Sequence, residues 1–136
     1  MSNELDANLD LFVQAALGRK AQGVVVLDVR ELTSIAETFI ICSGTSNRQV
    51  SAIADHIQRF LKEHSIKPLS VEGMSEGLWV LMDYGHVIIH VFYETTRSFY
   101  DLEGLWSDAR RITTESMEKH RQGQAEGFDG EEVFVE

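Results

Sequence analysis

The sequence predicts an α/β fold, a mixed sheet of about five strands with helices on both faces, and three observations carry that expectation. Residues 23–29 and 38–43 are short, continuous, β-branched runs of the kind that fill strands buried on both sides. Between them and the next such runs, Val50, Ile53, Ala54, Ile57, Phe60 and Leu61 recur at helical spacing. Residues 78–84 and 87–93 are then two strand-like runs separated only by Gly85-His86, the signature of an antiparallel hairpin.

Each element has its own local cause. Leu5, Leu9, Phe12, Val13, Ala16 and Leu17 form an apolar stripe, so a first helix is expected, with Ser2 or Asn3 as its cap and Gly18 or Gly23 as its stop. Two buried strands follow. Gly44 turns the chain into Ser46-Asn47-Arg48-Gln49, a capping box for the second helix, which Pro68 terminates. A short extended piece at residues 69–72 leads through the glycine-rich loop 73–77 to the hairpin. Phe99, Leu102, Leu105, Trp106 and Ala109 return to helical spacing, giving one closing helix capped by Thr96 or Ser98. From Lys119 periodicity fades and acid, Gly and Gln dominate, so the sequence divides into an ordered domain over residues 1–118 and an acidic, disordered tail over 119–136.

Composition narrows the function classes. With 136 residues and 43% hydrophobic content the chain can close one core. No run approaches the roughly 20 apolar residues of a membrane span, and the first twenty residues lack a signal-peptide or transit pattern, so a cytoplasmic location is expected. A lone cysteine, Cys42, builds neither a disulfide framework nor a thiolate metal site. The net charge of -10, half of it in residues 115–136, disfavours direct DNA binding, which draws its affinity from cations on phosphate. It favours a basic protein partner.

The candidates for chemistry are sparse. Gly44-Thr45-Ser46 could present backbone N–H groups to a phosphate, the basis for an alternative reading as a nucleotide-binding or nucleotidyltransferase-like enzyme, but it lacks the P-loop lysine. No Asp-x-Asp follows it to hold metal ions. Asp83, His86 and His90 are close in sequence, yet His86 falls in the hairpin turn and His90 in the sheet, so structural histidines are expected rather than ligands. No catalytic residue, cofactor or metal is assigned. The anomaly is aromatic: seven of twelve aromatic residues lie within the 28 positions from Trp79 to Trp106, interleaved with Asp83, Arg97, Asp101 and Glu103. Trp, Tyr and Arg are the residues enriched at binding hot spots, so a protein-binding face, or a homodimer made through it, is expected here.

These residues resemble the ribosomal silencing factor, or Iojap, family. The likeness lies in Val26-Leu27-Asp28-Val29, Phe39-Ile40-Ile41-Cys42-Ser43-Gly44-Thr45-Ser46-Asn47-Arg48-Gln49-Val50, Glu72-Gly73, Trp79-Val80-Leu81-Met82-Asp83-Tyr84-Gly85, His90-Val91-Phe92 and Arg97-Ser98-Phe99-Tyr100-Asp101-Leu102-Glu103-Gly104-Leu105-Trp106. It runs from about Leu11 to Ala109 and departs from the family pattern at Glu37-Thr38 and His86. The resemblance implies a nucleotidyltransferase-like fold without the catalytic carboxylates. It also implies a non-enzymatic protein that binds the large ribosomal subunit through a basic ribosomal protein, the fourteenth in the usual numbering. That contact would block subunit association and repress translation under nutrient limitation. Carried over by position, the partner-binding residues would be Trp79, Leu81, Asp83, Tyr84, His90, Arg97, Tyr100, Leu102, Glu103 and Trp106.

Overall fold

A computed structural model of the protein describes residues 8–131, with side-chain surroundings through residue 123. The elements run α1 (Leu9–Leu17), β1 (Gln22–Asp28), β2 (Thr38–Gly44), α2 (Asn47–Glu63), β3 (Ser70–Glu72), β4 (Trp79–Asp83), β5 (Val87–Tyr93), α3 (Glu94–Tyr100), α4 (Leu102–Leu105), β6 (Arg110–Ile112) and α5 (Glu115–Glu131). The strands form one mixed sheet in the order β3-β4-β5-β2-β1-β6. Strand β2 pairs parallel with β5, and every other pairing is antiparallel. All seven residues of β2 are buried, as a continuous β-branched run requires at the centre of a sheet covered on both sides.

Strand alternation sorts the core into two halves. Val26, Ile40, Cys42, Val80, Met82, Val87, Ile89 and Val91 face α1 and α2, whose Phe12, Val13, Val50, Ile53, Ile57 and Leu61 complete the larger core. Leu27, Phe39, Ile41, Ile88 and Phe92 point the other way, into a smaller core against which Trp79, Leu81, Leu102 and Trp106 pack. Helix α2 starts where the sequence places it: Ser46 Oγ accepts from Gln49 N at 3.1 Å. Gln49 Oε1 in turn accepts from both Thr45 N (2.6 Å) and Thr45 Oγ1 (2.9 Å), one residue earlier than in an ordinary capping box.

Four expectations are corrected. The sheet has six strands rather than five, because Arg110–Ile112 pairs with β1. The single closing helix is instead two short ones broken at Asp101, which sits in the left-handed region (φ 47°) and caps α4 by accepting from Gly104 N. Helix α5 runs from Glu115 to Glu131, across the boundary expected at Lys119 where the sequence shows no periodicity; residues 132–136 lie outside those described. The first helix has Asn8 as its cap residue, and the candidates Ser2 and Asn3 also lie outside the described residues.

Helix α5 forms despite weak amphipathicity because Asp10 of α1 serves its first turn from across the fold. Asp10 Oδ1 accepts from Ser116 N (3.2 Å) and Oδ2 from Ser116 Oγ (2.6 Å). Burial pushes the Asp10 carboxyl up, but the hydrogen bonds from Ser116, Thr114 and Gln14 prevail and hold its pKa at about 2. Asp10→Ala is expected to cost about 1 kcal/mol, the value of a lost helix cap, with faster amide exchange in the first turn of α5; unchanged exchange there would refute the role.

In the smaller core, Trp79 Nε1–H donates to His90 Nδ1 at 3.2 Å, which places the ring proton on Nε2. His90 is 5% exposed, and its Nε2 has no partner among the described residues. Burial depresses its pKa from 6.5 to about 4. The unfolded chain therefore binds the proton more readily, and stability contributed by neutral His90 is complete above pH 6.5 and is lost as pH falls toward 4. Urea midpoints should drop across that window by the equivalent of about 3 kcal/mol. His90→Asn, which keeps an acceptor for the indole but does not titrate, should flatten the profile.

Candidate functional site

The aromatic cluster expected from the sequence is assembled on the smaller-core side of the sheet. Trp79, Leu81 and Asp83 occupy alternate positions of β4, so they share that side, and β5 places His90 and Phe92 beside them in register, Trp79 opposite Phe92 and Leu81 opposite His90. The loop before β4 approaches closely through Gly73 (φ 90°), where a Cβ would run into the Trp79 carbonyl oxygen. The rings form a connected series: Tyr100 to Trp79 (5.0 Å between centroids), Trp79 to Phe92 (4.9 Å), His90 to Phe39 (5.1 Å) and Phe39 to Trp106 (5.1 Å).

Of the ten residues carried over by resemblance, Trp79, Leu81, Asp83, Leu102 and Trp106 are half-buried on this side and Tyr100 is 49% exposed. His90 lies beneath the surface as the support of the Trp79 indole. Tyr84 is elsewhere. It follows the end of β4, packs edge-on against Phe12 of α1 at 5.2 Å in the larger core, and burial raises its hydroxyl pKa to about 12. Its placement on the aromatic face is thereby corrected, because one step along the chain reverses the direction of a side chain.

Arg97 and Glu103 meet each other rather than standing free. Arg97 Nε donates to Glu103 Oε1 (3.1 Å) and Nη2 to Oε2 (2.9 Å), a fork-to-fork pair across the break at Asp101. The remaining guanidinium hydrogens reach Ser43 Oγ (3.1 Å), the Gln22 carbonyl (3.3 Å) and the Gly23 carbonyl (2.7 Å). Hydrogen bonding from Arg97 lowers the Glu103 pKa. Asp83 uses Oδ1 to accept from Gly85 N (2.8 Å).

Helical spacing puts Phe99 and Leu105 on a packed helix face and Leu78 falls in a strand-like run, yet these are 79%, 76% and 43% exposed. Leu78 and Phe99 line an open groove with Glu76, Trp79, Tyr93 and Tyr100. The signal that could have revealed them is Asp101-Leu102-Glu103-Gly104: an Asp able to cap three residues ahead ends one helix and starts another, so one apolar stripe cannot run through it.

The other candidates are structural in this arrangement. Thr45 and Ser46 engage Gln49 at the start of α2. His86 packs edge-on against Phe12 (5.6 Å), on the opposite side of the sheet from His90. Cys42 is buried, which pushes its thiol up to about 12. Among the described residues, no cluster of three or more His, Cys, Asp or Glu is arranged for a metal, and no helix is long and apolar enough to cross a membrane.

The family model described as ribosomal silencing factor during starvation matches residues 2–132. A ribosomal silencing factor RsfS from Halalkalibacterium halodurans is 39% identical over 109 residues, covering 80% of this chain and 93% of that protein. The mouse protein named mitochondrial assembly of ribosomal large subunit protein 1 is 29% identical over 103 residues, covering 74% of this chain and 45% of that one. A crystal structure of a protein from Chromobacterium violaceum superposes with a TM-score of 0.73 at 35% identity, over 82% of this chain and 92% of that one. With a match along nearly its whole length and the same architecture at 35% identity, the chain belongs to the ribosomal silencing factor family.

Proposed function

We propose that the chain binds the large ribosomal subunit with the surface formed by β4, α3 and α4, contacting a basic ribosomal protein, the fourteenth, and that its bulk then blocks subunit association. The observation that carries this reading is the apolar rim itself: Phe99, Tyr100 and Leu78 stand exposed in one groove with half-buried Trp79, and Leu105 is exposed on α4. Large apolar side chains held outward in a connected patch are what a protein-binding hot spot requires. The chain's net charge of -10, with Glu76 in the groove and Asp83 at the far end of β4 on the same side as Trp79, suits a cationic partner and accelerates encounter with it.

The division of labour differs from a simple pairing of acids with partner cations. Glu103 is already paired with Arg97, so the apolar rim supplies affinity and the remaining acids supply steering. A standard interface covers about 800 Å² per partner, and a 15.4 kDa body seated at a subunit boundary leaves no room for the other subunit. No bond is made or broken. Inhibition is mass action: at free factor about one hundred times its dissociation constant, subunit joining is opposed by about 2.7 kcal/mol. The starvation wording of the family description supports a role in lowering translation when nutrients are scarce, and the mouse relative's name supports the large subunit as partner.

Phe99→Ser and Leu105→Ser remove exposed groups, so folding stability should stay within about 0.5 kcal/mol of the parent, while affinity for purified large subunits falls at least tenfold by sedimentation. Trp79→Ala should lose affinity too, with some stability. Wild-type binding by both exposed-site variants would refute the surface. Raising salt should slow association more than it speeds dissociation.

A further inference from the structure

We propose, building on the docking surface above, that Arg97 is a positioning residue: its guanidinium is the strut that holds the α3–α4 corner in the shape that binds. All five of its N–H donors have acceptors, two on Glu103, one on Ser43 and two on the carbonyls of Gln22 and Gly23. These acceptors belong to α4, the end of β2 and the start of β1, so one side chain joins the corner to two neighbouring strands of the sheet.

The corner's other anchors lie to either side of the Arg97–Glu103 pair. Neither α3 nor α4 contains a buried residue, and the two meet at Asp101 in a left-handed conformation that costs a non-glycine residue strain. Half-buried Leu102 and Trp106 fix its far end against the smaller core, and Tyr100 rests on Trp79. Phe99, Tyr100 and Leu105, three of the four exposed apolar residues of the rim, lie within two residues of Arg97–Glu103 or between them. Gly23 belongs to the same device: at φ 58° it takes a conformation other residues rarely adopt, and a Cβ there would stand 2.9 Å from Arg97 Nη1.

The strut requires the planar fork, not the charge. Lysine offers three donors from a single point and cannot span Glu103, Ser43 and two carbonyls. Losing the fork lets the corner sample other shapes, so only a fraction of molecules is competent to dock, and apparent affinity falls by that fraction. That loss appears in the association rate, because a complex once formed is held by the same contacts.

The test compares wild type, Arg97→Lys and Ser43→Ala by kinetics on immobilised large subunits and by amide exchange on the free chain. Ser43 is 5% exposed and lies under the strut, out of a partner's reach, so it reports positioning alone. Both variants are expected to show faster exchange over residues 94–106 and a lower association rate, about tenfold for Arg97→Lys and severalfold for Ser43→Ala, with dissociation within twofold. Wild-type association by Ser43→Ala overturns the strut; so does an Arg97→Lys defect confined to faster dissociation with unchanged exchange, which makes Arg97 a contact. Should Arg97→Lys fail to fold, Ser43→Ala decides. If wild type itself does not bind large subunits, the docking proposal fails, while exchange over residues 94–106 still decides whether Arg97 holds the corner.

Discussion

The parallel pairing of β2 with β5 is the constraint on which the other features depend. Both strands are buried, one on all seven residues and the other on six, so neither has a polar face to offer water and each must be covered above and below. Seven residue pairs in register, from Thr38 with Val87 to Gly44 with Tyr93, fix which side chains go to which side. A slip of one residue would exchange Ile40, Cys42, Ile89 and Val91 with Phe39, Ile41, His90 and Phe92 and destroy both cores at once.

The unequal cover of the two sides follows from chain order. The long helices α1 and α2 fill one side, and α5 packs against α1 there. Among the described residues, the opposite side receives the two short helices after β5 and the β1–β2 connection with Val29 and Ala36, which leave its rings partly open. The aromatic surface is therefore the incompletely roofed half of the same sheet, with indoles supported from below by Phe92, Phe39 and the neutral imidazole of His90. Support from beneath keeps Trp79 in one orientation, which lowers the entropy a partner must remove on binding.

The legible parts of the fold are those with local causes. Continuous β-branched runs identify β1 and β2, Gly85-His86 identifies the hairpin, and Ser46 with Gln49 identifies the start of α2. What escapes is set by distant residues. Strand β6 is three residues long and exists through pairing with β1 and the Arg110 contact to Asp28, 82 positions away. Helix α5 owes its first turn to Asp10, 106 positions away. Trp79, Leu81 and Asp83 can be placed on one side by alternation alone, whereas Tyr84 and the internal engagement of Arg97 by Glu103 depend on how the hairpin and corner close. Motif similarity treats both groups alike, since it records which residues recur and not which way they point.

The borders of the sheet bear on how such a surface can exist in a concentrated solution. An extended strand with unpaired backbone at a margin is a template for uncontrolled strand addition. Here both outermost strands, β3 and β6, are only three residues long. One is preceded by Pro68 and ends in Glu72; the other carries Arg110 and Arg111. Sticky rings on a broad face are thus combined with blunted, charged margins, which disfavours fibre growth by strand addition.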